Sequence, residues 1–327
     1  MYINQTFNVL HDWWRYLVGS VLVFVAWQLI GMIPLAIGIG IKVMGGGDIP
    51  GDIPQMVALL GNNLFLFLML LSFAIGLVGL LLTTKFLHKQ PLTHLTTARK
   101  KIDWKRFWFI FFLWGIVSSG FVLVDYFFLT PEDYVLNFQL QPFLILCVIA
   151  ILLVPLQTSF EEYLFRGYLM QGFGVVLKNK WAPLLITSIG FGLLHIANPE
   201  VEKLGYIIMV YYIGTGLFLG IITLMDDGLE LALGFHAANN LFTALLVTAD
   251  WTAFQTDSIL KDMSDPEKMG IAEIFVPVFV IFPILLFILS KKYNWSNWKD
   301  RLLGDVVEPP KENYKIIEEI GNHDTRL

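Results

Sequence analysis

Long blocks of apolar residues, nearly free of acids and bases, alternate along the chain with short polar connections. A transmembrane helix needs about 20 mostly apolar residues. Blocks that reach or approach this length lie at 16–41, 56–84, 107–129, 142–160, 181–197, 205–225, 231–249 and 274–290. The pattern predicts an all-α fold, a polytopic transmembrane helical bundle of about eight helices.

Composition agrees with that solvent. Of 327 residues 56% are hydrophobic and 15% charged, and the mean hydropathy is +0.66. One soluble core could not bury so much apolar surface, so the chain is expected to be a multi-pass integral membrane protein with the lipid bilayer as its surroundings. The net charge of -5 sums over both membrane faces and argues against nucleic-acid binding. Cys147 is the sole cysteine, which excludes an internal disulfide and argues against a thiolate metal site; it reads as a small buried apolar residue.

Orientation follows from the basic residues. Between the second and third blocks stand Lys85, Lys89, Arg99, Lys100, Lys101, Lys105 and Arg106 against one acid, Asp103, which assigns that connection to the cytoplasm. Alternation then places both termini inside. The connection holding Asp226, Asp227 and Glu230 should also be cytoplasmic, yet it carries no base. The first 14 residues include Asp12 and no Lys or Arg, and the first apolar block exceeds a signal-peptide core of about 7 to 15 residues, so the first span is expected to stay.

Punctuation divides the chain into a transmembrane domain over 1–290 and a polar cytoplasmic tail over 291–327, broken at Pro309-Pro310 and expected to be partly disordered. The Gly/Pro-rich stretch 45–54 reads as an outer turn, and 250–270 as an outer loop with room for a short interfacial helix. Asn62, Asn63 and Asp125 read as interhelical hydrogen-bonding or boundary groups.

The chemistry concentrates in three blocks. Residues 158–167 read Thr-Ser-Phe-Glu-Glu-Tyr-Leu-Phe-Arg-Gly, and ionised groups are costly at membrane depth. Glu162 and Arg166 share a helix face at i, i+4, while Glu161 is rotated by about 100°. One acid is then neutralised and its neighbour is left for general-base work; alternatively the three form only a structural ion pair. His195, one turn after Phe191, is the sole ionisable group of its block, and His236 shares a face with Asn240. A single shared polar cavity would satisfy all of them at once. From their cytoplasmic ends Glu161 lies about 25 Å, His195 about 21 Å and Asn240 about 14 Å along their helices. Because 142–177 is too long for one upright span, the fourth helix is expected to tilt strongly or break near Pro155, with the acids inside the span.

The ordered set Glu161-Glu162-x-x-x-Arg166, Phe191-x-x-x-His195 and His236-x-x-x-Asn240 resembles the CPBP family of intramembrane proteases, which includes the CAAX prenyl endopeptidases and the bacterial Abi proteins of bacteriocin processing and immunity. The resemblance covers about residues 142–250, the motif-bearing core, and no motif position departs from the pattern. It implies an intramembrane glutamic-type endopeptidase acting on a membrane-associated peptide or protein, of CAAX type or lipid-anchored, in a prokaryotic cytoplasmic membrane. It implies further that Glu161 and His195 activate water, that His236 and Asn240 stabilise the oxyanion, and that Glu162 and Arg166 hold the site in shape. No cofactor is expected; the metal-dependent alternative would use zinc on Glu161, His195 and His236. Two other classes stay open: a catalytically silent scaffold or bacteriocin-immunity factor, and a proton-coupled transporter, the latter disfavoured by the lack of an internal repeat.

Overall fold

Backbone N–H and C=O groups in hydrocarbon must be satisfied within the segment itself, so each apolar block folds as a helical rod. The structure, a computed structural model, describes residues 1–268 and 270–310. Its rods are α1 (Trp13–Met44), α2 (Asn62–Leu87), α3 (Trp104–Leu129), α4 (Leu140–Leu177), α5 (Trp181–Leu193), α6 (Tyr206–Asp226), α7 (Glu230–Leu246) and α8 (Ile271–Tyr293). Among the described residues, six of these are long and apolar enough to cross a membrane, and α5 and α7 are shorter. At about 1.5 Å per residue, α5 and α7 fall short of a hydrocarbon core roughly 30 Å thick.

Of the two short rods α7 is enclosed by the long ones, whereas α5 leaves Trp181, Leu185, Ile186, Ile189 and Leu193 exposed. α7 packs along α3, α4 and α6, and every residue over 230–238 is buried. Two glycines let neighbouring rods approach backbone to backbone: a Cβ on Gly234 would stand 2.4 Å from the Phe107 carbonyl oxygen of α3, and one on Gly216 of α6 would stand 2.7 Å from the Ser188 carbonyl oxygen of α5. Lipid-facing surface falls on the outer rods, where Leu17, Phe24, Phe279 and Phe287 are exposed. Cys147 is half-buried on α4 rather than fully enclosed.

α4 does not break at Pro155. The helix runs through the proline, and α geometry gives way later, in a π-helical stretch over Tyr163–Leu169 that returns to α at Met170. The extra residue in that turn rotates the remainder of the rod by about 100°, an adjustment common at functional sites.

The end assigned to the cytoplasm is clasped by ion pairs. The acids that lacked local bases find them on other segments: Arg99 pairs with Asp226 at 2.8 Å and Glu230 at 3.1 Å, Arg106 with Asp226 at 2.5 Å, and Arg301 with Asp227 at 2.6 Å. The Tyr2 N–H donates to Asp227 at 3.0 Å, so the N-terminal segment joins the same end. The start of the expected tail is ordered as well. Helix Trp298–Leu303 carries Arg301 into this network, and Val306 joins Ile3 and Phe7 in one apolar cluster; the rest of the tail, over 311–327, lies outside the described residues.

The opposite end is held differently. Strands β1 (Tyr134–Leu136), β2 (Val247–Thr248) and β3 (Leu260–Asp262) form a small sheet in the order β1-β3-β2. The described part of segment 250–270, read as a loop with room for a short helix, contributes a strand and a short 3-10 helix at Pro266–Lys268. Asn62 and Asn63 donate to the Asp257 carboxylate at 2.8 and 2.7 Å, tying the start of α2 to that loop, and Asp125 accepts from Tyr134 at 2.6 Å.

Removing one partner from the clasp strands acids with almost no solvent. Arg99→Ala is expected to cost about 3 kcal/mol, read as a lower thermal midpoint in detergent; an unchanged midpoint would show that Arg106 alone carries Asp226 and that Glu230 needs no partner. His88, fully buried just after α2 between the Leu10 carbonyl and the Tyr168 hydroxyl, gives a pH effect. Burial pushes its imidazole down from 6.5 to about 4. A depressed histidine favours the neutral folded form, so its stability contribution is present above pH 6.5 and is lost as pH falls toward 4. The loss should approach about 3 kcal/mol in acid unfolding curves, and His88→Gln should flatten that limb.

Candidate active site

Two consecutive glutamates on α4 face different surroundings because successive helical residues differ by about 100°. Glu162 points into packed protein. Its Oε1 accepts from Arg166 Nη1 at 2.9 Å, the i, i+4 pair read from the sequence, and also from His236 Nδ1 at 2.8 Å. A carboxylate can only accept, so the Nδ1 proton of His236 is fixed on that nitrogen. Arg166 and Glu162 are both 0% exposed, and such a pair persists only because further bonds hold it. Arg166 Nη2 donates to the Gly216 carbonyl at 3.1 Å, and its guanidinium lies 4.3 Å from the Phe191 ring centre.

Glu161 is buried too, but it borders open space. Its Oε1 accepts from Gln157 Nε2 at 2.7 Å, and its Oε2 is buried with no hydrogen-bond partner in the protein. His236 Nε2 lies 3.6 Å from that oxygen. The result is one continuous line of ionisable side chains: Arg166, Glu162, His236, Glu161.

A second line reaches Glu161 from the far side. Trp114 Nε1 donates to Asn239 Oδ1 at 3.0 Å, Asn239 Nδ2 to Asn240 Oδ1 at 3.1 Å, Asn240 Nδ2 to Gln157 Oε1 at 3.1 Å, and Gln157 to Glu161. An indole N–H can only donate and a carboxylate can only accept, so both ends force every amide between them into one orientation. Chains of this kind polarise along their length. Glu161 is therefore held in place without being neutralised by a cation on that side.

His195 stands in the turn just beyond α5, not within the helix. Its Nδ1 bonds the Phe191 carbonyl at 2.9 Å and its ring stacks on Tyr212 at 4.3 Å. The carbonyl requires the proton on Nδ1, which leaves Nε2 as the nitrogen available to its surroundings. Glu161, His195, Gln157, Asn239, Asn240 and Tyr212 line a common cavity of about 340 Å³. At roughly 30 Å³ per molecule, it has room for several waters. Glu162 and Arg166 do not line it, and His236 stands behind Glu161.

All six residues singled out from the sequence thus share one neighbourhood, three on the cavity wall and three behind it. Gln157, Asn239, Tyr212 and Trp114 were missed. Gln157 stands four residues before Glu161 and was findable by the same i, i+4 rule; Trp114 lies on α3, and nothing in its own block marks it. Among the described residues no three His, Cys, Asp or Glu side chains are grouped so as to hold a metal ion.

Residues 140–242, an interval containing all six, match the family model of type II CAAX prenyl endopeptidase Rce1-like proteins. The uncharacterized protein YyaK of Bacillus subtilis (strain 168) is 32% identical over 237 residues, which cover 72% of this chain and 78% of that protein. The chain belongs to the Rce1-like family. No solved structure gives a significant match. Rce1-like membership and six apolar rods make it a multi-pass integral membrane protein with a CAAX-type intramembrane protease kind of function.

The buried pair can be tested as a unit. Arg166→Met leaves Glu162 charged and stripped of one partner, and should cost about 3–5 kcal/mol in thermal denaturation. Arg166→Met with Glu162→Gln should recover part of that loss; strictly additive effects would show that the two side chains do not depend on each other.

Proposed function

We propose that the protein is an intramembrane endopeptidase of the glutamic type, with Glu161 as the general base. The observation that carries this reading is the Glu161 Oε2 atom, buried, unpartnered and part of a side chain that borders the same cavity as His195. A carboxylate oxygen so placed costs free energy unless it is used by a water or a substrate.

In this reading water sits between Glu161 and His195. It attacks the carbonyl carbon of a peptide bond and gives its proton to Glu161 as the new C–O bond forms. The carbonyl oxygen becomes an oxyanion, which Asn240 meets with its Nδ2 donor after releasing Gln157. His236 acts by position rather than by a direct bond to the oxyanion. Held by Glu162 at Nδ1, its ring turns Nε2 toward Glu161 and orients the carboxylate that takes the proton. Collapse of the tetrahedral intermediate breaks the C–N bond, and the proton on Glu161 goes to the leaving amine. Glu162 and Arg166 position His236 and touch no reacting atom.

We propose that the reaction proceeds without a metal. Glu161, His195 and His236 are not grouped as a ligand set, and the Nδ1 and Nε2 atoms of His236 are both directed to carboxylates. The substrate is proposed to be a membrane-associated peptide or protein.

The test is a comparison of new protein N-termini in membranes of cells expressing the wild type, Glu161→Gln or His195→Ala. Wild type should generate termini that Glu161→Gln reduces by about 10²-fold or more and that persist in the presence of zinc chelators. The reading falls if Glu161→Gln yields the same termini, or if the wild type yields none above cells lacking it.

A further inference from the structure

The cavity does not lie symmetrically between the two membrane faces. Its lining includes Ile53, Asn198, Glu200, Val247, Ala253 and Phe254, all from connections at one end of the bundle. That end is the one carrying the small sheet and the Asn62, Asn63 and Asp257 tie. It is opposite the base-rich connection with Lys100 and Lys101, which the positive-inside rule assigns to the cytoplasm.

The other end is shut. Below Glu161 along α4, Tyr163, Phe165, Leu95, Leu229 and Leu233 form a buried apolar cluster. Tyr163 bonds Thr96 at 2.9 Å, and the Leu229 N–H bonds the Thr96 carbonyl at 2.7 Å, so the connection before α3 is sewn to the start of α7. Beneath these lies the Arg99, Asp226 and Glu230 clasp. Water or a peptide chain coming from the cytoplasm would have to open both layers.

We propose that the catalytic cavity is served from the outer, non-cytoplasmic face, so that the peptide bonds it reaches belong to extracytoplasmic segments of membrane-anchored proteins. The inference rests on the protease reading for its substrate class, and on geometry and charge for its side. Ala253 and Glu200 form the rim together: the Glu200 carboxylate accepts from the Ala253 N–H at 2.9 Å, which braces the mouth between two outer connections.

Cysteine accessibility tests the side without needing a substrate. In a full-length Cys147→Ser background, Asn198→Cys places a thiol at the rim and Thr243→Cys places one deeper on the cavity wall, neither in the catalytic set. Lys100→Cys marks the cytoplasmic face. Intact cells are treated with a membrane-impermeant maleimide, which needs a hydrated thiolate to react, and a denatured sample gives the total thiol. Asn198→Cys and Thr243→Cys should label from outside about tenfold or more faster than Lys100→Cys, with Lys100→Cys catching up after permeabilisation. Labelling of the two cavity thiols only after permeabilisation would overturn the proposal, as would outside labelling of Lys100→Cys. A rim thiol that labels while Thr243→Cys stays inert from both sides would overturn it too, since the cavity would then be closed to water. Outside labelling together with no cleavage in cells would sink the protease reading and leave the side of access standing; labelling from the inside with cleavage would do the reverse.

Discussion

The carboxylate of Glu162, shared between Arg166 and His236 with no solvent in reach, is the interaction on which the rest of the site depends. It draws together three rods: α4, which carries both Glu162 and Arg166, α7, which carries His236, and α6, whose Gly216 carbonyl takes the other arm of the guanidinium. Desolvating charge is expensive, and a pair of opposite charges repays the cost only when geometry and extra hydrogen bonds are good. The close approach at Gly216, where a Cβ would collide with α5, is part of that geometry. Glu162 takes both of its bonds at Oε1 and, like Glu161, keeps a buried Oε2 without a hydrogen-bond partner; what sets Glu161 apart is that it borders the cavity.

That division shapes how charge can move in the cavity. Arg166 with Glu162 forms one neutral pair, and His236 stands between the two carboxylates. Moving a proton onto Glu161 while an oxyanion forms keeps the net charge unchanged. A low-dielectric interior penalises net charge far more than the rearrangement of charge within a compact group. The directed amide chain from Trp114 to Gln157 adds dipoles already aligned toward Glu161, which spares reorganisation at the moment of reaction.

Much of this was legible one helix at a time. Glu162 with Arg166, Phe191 with His195 and His236 with Asn240 are spaced by four, and helix geometry alone puts each pair on one face. The apolar blocks likewise announced eight rods, of which α5 and α7 are short and α7 alone is enclosed by its neighbours. The features that stayed hidden depend on pairing across the fold. Asp226 and Glu230 looked unbalanced because their bases, Arg99 and Arg106, arrive from a connection more than a hundred residues away. The Pro155 signal was misleading for a local reason: a proline marks where a helix is weakened, while the site needed its extra residue further on, at the π turn carrying Arg166.

The π turn begins directly after the two acids, whose separation of about 100° already belongs to the regular helix that ends at Glu162. Within the wider turn from Tyr163, Arg166 keeps its i, i+4 reach back to Glu162, while Tyr163 and Phe165 turn into the apolar layer beneath the cavity. The same stretch therefore carries the cation of the buried pair above and builds part of the floor below it.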